Sequence, residues 1–351
     1  MGYFIFILLV ASLFATTGKK RLNIWVSFIL IILMILLNGL RGLDVGRDTM
    51  NYFTMYSYKG ASERIEPLFS LLVTTLKMMG FSFNFFLCVT AFLIYIPLYG
   101  FIKKFSINPC LSLVVYLSFS VFFFQNSFNV IRNAIAASFL LWSIGYISES
   151  KYKKAIIPGL IAVGFHYSSL IAIPFLVLSR FTKGTKSIIA IPVLIASIII
   201  GLSSAFYENA LTTILQQVSF ASGAAADNYL DYLSDIDEIE VNVNGIIMLM
   251  APFSLISLLS FFTKRIDNTY RMVLFYGTVL SNLFVSVLYA YRLTLFMTLV
   301  TLVVIPQLCA GQNKIIKAIS IMSVAVMAVY FIYSMISGTA TNIIPYYFFF
   351  E

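Results

Sequence analysis

Residues 155–181 read AIIPGLIAVGFHYSSLIAIPFLVLSRF, and the course of this stretch decides the topology of the chain. It is too long for one comfortable membrane crossing, for which about 20 apolar residues suffice. Pro158, Gly159, Gly164 and Pro174 interrupt it. They fit two short half-helices that fold back near His166. A bilayer tolerates such irregular backbone where protein surrounds it or where it lines a cavity.

The rest of the chain is built for lipid. Hydrophobic residues make up 60% of the 351 and charged residues 11%, against about 45–50% and 25% in soluble domains. Apolar runs predict spans at 2–17, 22–40, 82–102, 109–125, 132–148, 187–205, 245–262, 272–290, 293–310 and 318–336. With the hairpin added, the expectation is an all-α polytopic membrane protein of about 11–13 transmembrane helices. Residues 1–351 form a single transmembrane domain without an internal repeat. The run at 2–17 has no basic residue before it and is followed by Lys19, Lys20 and Arg21. That polarity is wrong for a cleaved signal and reads as an anchor.

Lysine and arginine set the orientation. If 18–21 is cytoplasmic, alternation places 103–108, 149–154, 180–186, 263–271 and 311–317 there as well, provided 155–181 crosses an even number of times. These turns hold sixteen of the 23 basic residues and two of the 14 acids, Glu149 and Asp267. A single crossing at 155–181 would instead turn the acidic stretch 206–244 inward and the basic stretch 263–271 outward. The hairpin is therefore preferred, with both chain ends outside the cytoplasm. Residues 41–81 become an outer loop with an interfacial or re-entrant segment at 66–80. Residues 206–244 become a long acidic outer loop.

This bias also explains the formal charge of +9, so no nucleic-acid partner is expected. Cys88, Cys110 and Cys309 lie in apolar runs without paired spacing, and the lone histidine has no cysteine cluster beside it. Neither a bound metal nor a cofactor is expected.

Seven basic residues remain outside against the bias: Arg41, Arg47, Lys59, Arg64, Lys77, Arg132 and Arg292. An isolated interfacial arginine can simply snorkel, but Arg41, Arg47, Arg132 and Arg292 converge on one face from different segments. Arg132 stands in QNSFNVIRNAIAA, where Ser127 or Asn129 would cap the following helix. A guanidinium beside free helix-terminal N–H groups makes an anion site suited to phosphate oxygens. The run Arg41-Gly-Leu-Asp44-Val-Gly46-Arg47-Asp48-Thr49 is the densest in charge, and Asp44 and Asp48 share a face if it is helical. Its bland reading is a charge-balanced loop. Glu66 precedes Pro67 at a helix start, where it favours the helix dipole. His166 lies at the hairpin apex, as a hydrogen-bonded structural residue or as a group suited to proton transfer. Six acids between Asp227 and Glu240 make a solvated face that departs from EF-hand spacing. Tyr229 and Tyr232 beside them are candidates for sugar contact.

The combination Arg41…ValGlyArgAspThr…Tyr52, Glu66-Pro67, Arg132 opening a span, His166 in mid-hairpin, Arg292 and the closing Pro345-Tyr346 resembles the EpsG/Wzy-like polysaccharide polymerases over nearly the whole chain. Arg47 departs from the pattern, which has a small or hydroxyl residue there. The resemblance implies an architecture like the C-type membrane glycosyltransferases. It implies a metal-independent, inverting glycosyl transfer at the outer leaflet of a bacterial plasma membrane. The donor is a growing glycan on undecaprenyl pyrophosphate, and the acceptor is the terminal sugar of a lipid-linked repeat unit. A chain-length regulator is a further implied partner.

On this reading Arg132, Arg292, Arg41 and Arg47 bind the pyrophosphate and Tyr52, Tyr229 and Tyr232 the sugars. Asp48 is the first choice as general base, with His166 and Glu66 as alternatives. Two rivals stand beside it. A lipid-linked oligosaccharide flippase predicts polar groups through the midplane. A membrane acyltransferase modifying surface polysaccharide predicts key groups toward the inner half.

Overall fold

In the computed structural model of the protein, the described residues are 1–59, 66–182, 187–202, 243–285, 291–337 and 343–351. Tyr229, Tyr232, Arg64 and the acids of 227–240 lie outside them, as does the side chain of Lys59. The chain opens with α1 (Gly2–Ala15) and α2 (Lys20–Gly39). A turn segment leads to the short α3 (Thr49–Thr54), a π turn (Met55–Lys59) and α4 (Pro67–Met78). Then come α5 (Phe83–Phe105), α6 (Pro109–Ser118), α7 (Phe124–Asn129), α8 (Ile131–Ser148) and α9 (Tyr152–Phe165). A 3-10 turn (Tyr167–Ile171) joins α9 to α10 (Ala172–Phe181). The remaining helices are α11 (Ser187–Leu202), α12 (Val243–Ser260), α13 (Asn268–Leu283), α14 (Tyr291–Thr298), α15 (Thr301–Cys309) and α16 (Lys314–Ser337).

This is an all-α polytopic membrane protein. Among the described residues α2, α5 and α16 are each long and apolar enough to cross a bilayer, and α14 with α15 adds a fourth span if the bent pair counts as one. Leu13 on α1, Ile188 on α11 and Val329 on α16 are 65, 73 and 68% exposed. Lipid tails accept such surfaces, so burial goes to the residues that knit helices together. Gly39 is one of these. A Cβ there would sit 2.8 Å from the Cys88 Cα, so α2 and α5 cross closely because this position carries no side chain.

Two predicted spans are broken. The run 109–125 divides into α6 and α7 at Phe119–Phe123, where Phe119 and Phe122 pack on Phe253 with ring centroids 4.9 and 5.1 Å apart. The run 293–310 bends by 41° between α14 and α15. Pro306 within α15 has no N–H for the Leu302 carbonyl, and the Ser112 hydroxyl donates to that oxygen at 2.6 Å.

Helix ends gather at two ends of the bundle. At one, Lys104 and Lys151 meet Glu149, Asn108 donates to the Ala15 carbonyl, and Arg271 donates to the carbonyls of Ser260, Thr263 and Ile266. This is the Glu149 end. At the other lie the 40–59 segment, the α7–α8 junction, the start of α14 and residues 343–351. This is the Glu66 end.

The hairpin at 155–181 is present. An Arg180 Nη donates to the Ser150 hydroxyl at 3.3 Å, and the guanidinium stands 5.3 Å from the centre of the Tyr152 ring. A helix as long as α9 rises about 21 Å, so Tyr152 and Arg180 meet only because the chain reverses between them, at His166. Beyond this contact at their open ends, each arm packs mainly on another helix, α9 on α8 and α10 on α13. The flanks of α4 also stay at one end: Phe69 packs on Tyr52 with centroids 6.0 Å apart, and the Tyr56 hydroxyl donates to the Phe81 carbonyl at 2.8 Å.

Candidate active site

Glu66 joins two segments that are far apart in sequence. Pro67 opens α4, and Glu66 is its N-cap residue, yet the Glu66 carboxylate makes no capping bond. One oxygen, Oε2, accepts from an Arg132 Nη1 at 2.6 Å, and the other, Oε1, meets His166 Nδ1 at 2.6 Å. The α4 start, the α8 start and the hairpin apex therefore converge on one carboxylate. Gly164 lets α4 come in close, since a Cβ there would lie 2.6 Å from the Leu68 side chain.

Glu66 is 5% exposed. Burial alone would raise its carboxyl, but the His166 hydrogen bond and the Arg132 guanidinium outweigh this and hold it at about 2. It is a carboxylate at neutral pH, and its attachment to Nδ1 leaves the His166 Nε2 as the reactive nitrogen.

Arg132 is the second residue of α8. The expected caps do other work. The Ser127 hydroxyl donates to the Phe124 carbonyl, and the Asn129 Oδ1 accepts from the Arg47 N–H at 2.6 Å. Val130 is the N-cap and supplies no capping side chain, so the first N–H groups of α8 are left to other acceptors. The Arg132 side chain is 33% exposed, lies over the Phe69 ring at 5.8 Å and faces the Tyr52 hydroxyl.

Asp48 completes the cluster. Burial raises its carboxyl, while the charges of Arg292, Arg47 and Arg132 pull the other way. Arg292 is fixed at the start of α14, where its carbonyl accepts from the Asn133 amide at 3.1 Å. The stretch 42–48 is a series of turns rather than a helix, so Asp44 and Asp48 do not share a helix face. Gly46 makes this possible with φ at +96°, a conformation that favours glycine. A Cβ there would come within 2.8 Å of the Thr49 hydroxyl.

Two sequence candidates are placed elsewhere. Arg41 is 1% exposed. Its guanidinium donates to the Thr49 hydroxyl at 3.2 Å, to the Asn38 carbonyl and side-chain oxygen, and to the Phe128 carbonyl at 3.1 Å. A charge at a helix end is expected to face water, but the buried carbonyls at the ends of α2 and α7 claim this one. Arg41 ties those ends together and presents no free face to an anion. Tyr52 is 9% exposed with its ring against Phe69, so it supports Arg132 and does not offer a stacking face to a sugar. The pairing of Glu66 with His166, 100 residues apart, had no sequence signal beyond the shared side of the membrane.

No curated protein and no solved structure matches this chain. The sequence pattern of the EpsG family matches residues 24–348, a span that takes in Arg47, Asp48, Glu66, Arg132, His166 and Arg292. The chain therefore belongs to the EpsG family of Wzy-like polysaccharide polymerases and is a multi-pass membrane protein of polysaccharide biosynthesis.

Proposed function

We propose that the chain is an inverting glycosyltransferase working at the outer face of a bacterial plasma membrane, with the Glu66 end outward. It passes a growing glycan from undecaprenyl pyrophosphate to the terminal sugar of a lipid-linked repeat unit. The observation that carries this reading is the Glu66 carboxylate held between His166 and Arg132 at one end of the bundle. In one step the acceptor oxygen bonds to the anomeric carbon, and the bond from that carbon to the pyrophosphate oxygen breaks. The electron pair leaves with the pyrophosphate, and the acceptor hydroxyl loses its proton.

The residues divide this work. His166 Nε2 takes the hydroxyl proton, while Glu66 fixes the ring and stabilises the imidazolium. Arg132, Arg47 and Arg292, with the uncapped N–H groups of α8, meet the charge developing on the leaving pyrophosphate. Asp48 sits among the three guanidiniums and keeps their mutual repulsion in check. The geometry thus favours His166 over Asp48 as the base, because the Glu66 contact orients a histidine while Asp48 is engaged with arginines.

The test is reconstitution of the purified protein with a defined lipid-linked repeat unit. Products of stepped length are expected from wild type and not from His166→Gln. Transbilayer movement of the lipid-linked unit without bond formation would replace this reading with the flippase.

A further inference from the structure

The Glu66 site leaves the sugars themselves without a holder. A cleft with a volume of about 670 Å³ lies at the same end of the bundle. That falls within the range of about 300–1,000 Å³ for small-molecule sites. None of Asp48, Glu66, Arg132 and His166 lines it. Its walls are the turns before Asp48, the start of α5 and residues 347–351. Asp44, Phe53, Asn84, Phe348, Phe349 and Glu351 are among the lining residues.

The wall made by 343–351 is firmly attached. The Gly42 N–H donates to the Tyr347 carbonyl at 2.9 Å, and the Phe349 N–H donates to the Leu40 carbonyl at 3.0 Å. The Tyr346 hydroxyl donates to the Leu37 carbonyl at 2.6 Å. Phe348 stacks on Phe350 with centroids 5.1 Å apart, and Phe53 packs edge-on against Phe83 at 5.3 Å. The cleft is therefore a preformed gap between the two ends of the first membrane-external segment and the tail.

Its chemistry narrows the occupant. No lysine or arginine lines it, so it does not suit pyrophosphate or a lipid phosphate. The rings of Phe53, Phe83, Phe348 and Phe349 line it together with Asp44, Glu351, Asn84 and Ser82. The Asp44 side chain is exposed and Asn84 is half-buried, so both can be reached by a molecule in the cleft. Ring faces beside acceptor-rich rims fit a neutral, polyhydroxylated ligand. Its C–H faces lie on the aromatics and its hydroxyls donate to the carboxylates.

We propose that this cleft is a glycan subsite that holds neutral or amino sugars of the substrate next to the pyrophosphate-binding arginines. It rests on the polymerase reading and adds to it a place for the sugars. Asp44 and Asp48 stand four residues apart in one turn segment, a reach of at most about 14 Å, so a glycan held by Asp44 is within a few sugar lengths of the cluster that holds the leaving group. The two carboxylates of the lining disfavour a uronic acid in the same place.

The experiment uses full-length protein in nanodiscs. The probe is a set of oligosaccharides, one to three repeat units long, released from the polysaccharide of the producing cells. Binding is measured by titration calorimetry. Wild type and Arg132→Ala should bind the probe alike. Asp44→Asn combined with Asn84→Ala should weaken binding at least tenfold. Asn84→Trp, which narrows the cleft with a bulky side chain, should do the same. In chain growth these variants should raise KM for the repeat unit about tenfold with kcat within twofold, the mark of lost ground-state binding. Folded cleft variants that bind the oligosaccharide as tightly as wild type would overturn the subsite. If Arg132→Ala still abolishes chain growth in that case, the polymerase reading stands without it. A wild-type protein that neither binds the oligosaccharide nor extends the lipid-linked unit would overturn both.

Discussion

Glu149 stands between two lysines and Glu66 between an arginine and a histidine, at opposite ends of the same bundle. Glu149 pairs with Lys104 at 3.0 Å and Lys151 at 2.9 Å, and its side chain is 31% exposed. Glu66 pairs with Arg132 and His166, both at 2.6 Å, and its side chain is 6% exposed. The stoichiometry is the same and the surroundings are not. Water and salt screen the first cluster, whose worth is about 0–1 kcal/mol. In the second the carboxylate itself is withdrawn from water, while Arg132 and His166 reach the surface, so removing a partner strands the buried charge. It is built from the two side chains best suited to proton transfer and phosphate contact. Burial, more than the presence of a salt bridge, separates a topological charge from a candidate active site.

The largest effect should come from breaking the buried cluster. In Glu66→Gln, transfer should fall by about 10²–10³-fold, the loss of about 2.7–4 kcal/mol of transition-state stabilisation seen when one charge-stabilising contact goes. Steady-state chain growth on lipid-linked units reads this.

Lowering the pH should separate the two clusters next. Glu66 is held at about 2 against an ordinary 4.5. A carboxylate with a depressed value contributes fully above 4.5 and loses its contribution as the pH falls toward 2. The loss should be on the order of 3 kcal/mol. Thermal unfolding in detergent across that window should show a slope that Glu66→Gln flattens and Glu149→Gln leaves in place.

Arg41 gives a smaller and different effect. Arg41→Ala leaves the acceptors of Asn38, Thr49 and Phe128 unpaired, at a cost of about 1–3 kcal/mol. The melting midpoint should drop, while the rate per folded molecule stays within threefold of wild type. The smallest effect belongs to Glu149→Gln, within about 1 kcal/mol in stability and without change in chain growth.

Much of this was legible before the structure. The charge count forced residues 155–181 to turn back, and the turn brings His166 to the side of Glu66 and Arg132. Apolar length located the helices, because lipid imposes it directly. Direction inside the protein was not legible. Arg41 and Arg132 read alike as arginines at span ends, but only the carbonyls that α2 and α7 present could show that Arg41 turns inward. Ser127 looked like a cap for α8, but its hydroxyl also meets the Tyr95 hydroxyl at 2.7 Å, a contact 32 residues away that local sequence does not encode. The wall built by 343–351 could not be foreseen either, since its hydrogen bonds join Leu37, Leu40 and Gly42 to the opposite end of the chain.

The central claim is that the buried cluster carries out the transfer. The most direct measurement compares Arg132→Ala, Glu149→Gln and wild type in one preparation, as the rate of sugar–sugar bond formation on purified lipid-linked repeat units. The account predicts wild-type growth for Glu149→Gln and a fall of about 10²–10³-fold for Arg132→Ala. Growth at the wild-type rate by a folded Arg132→Ala protein would contradict it.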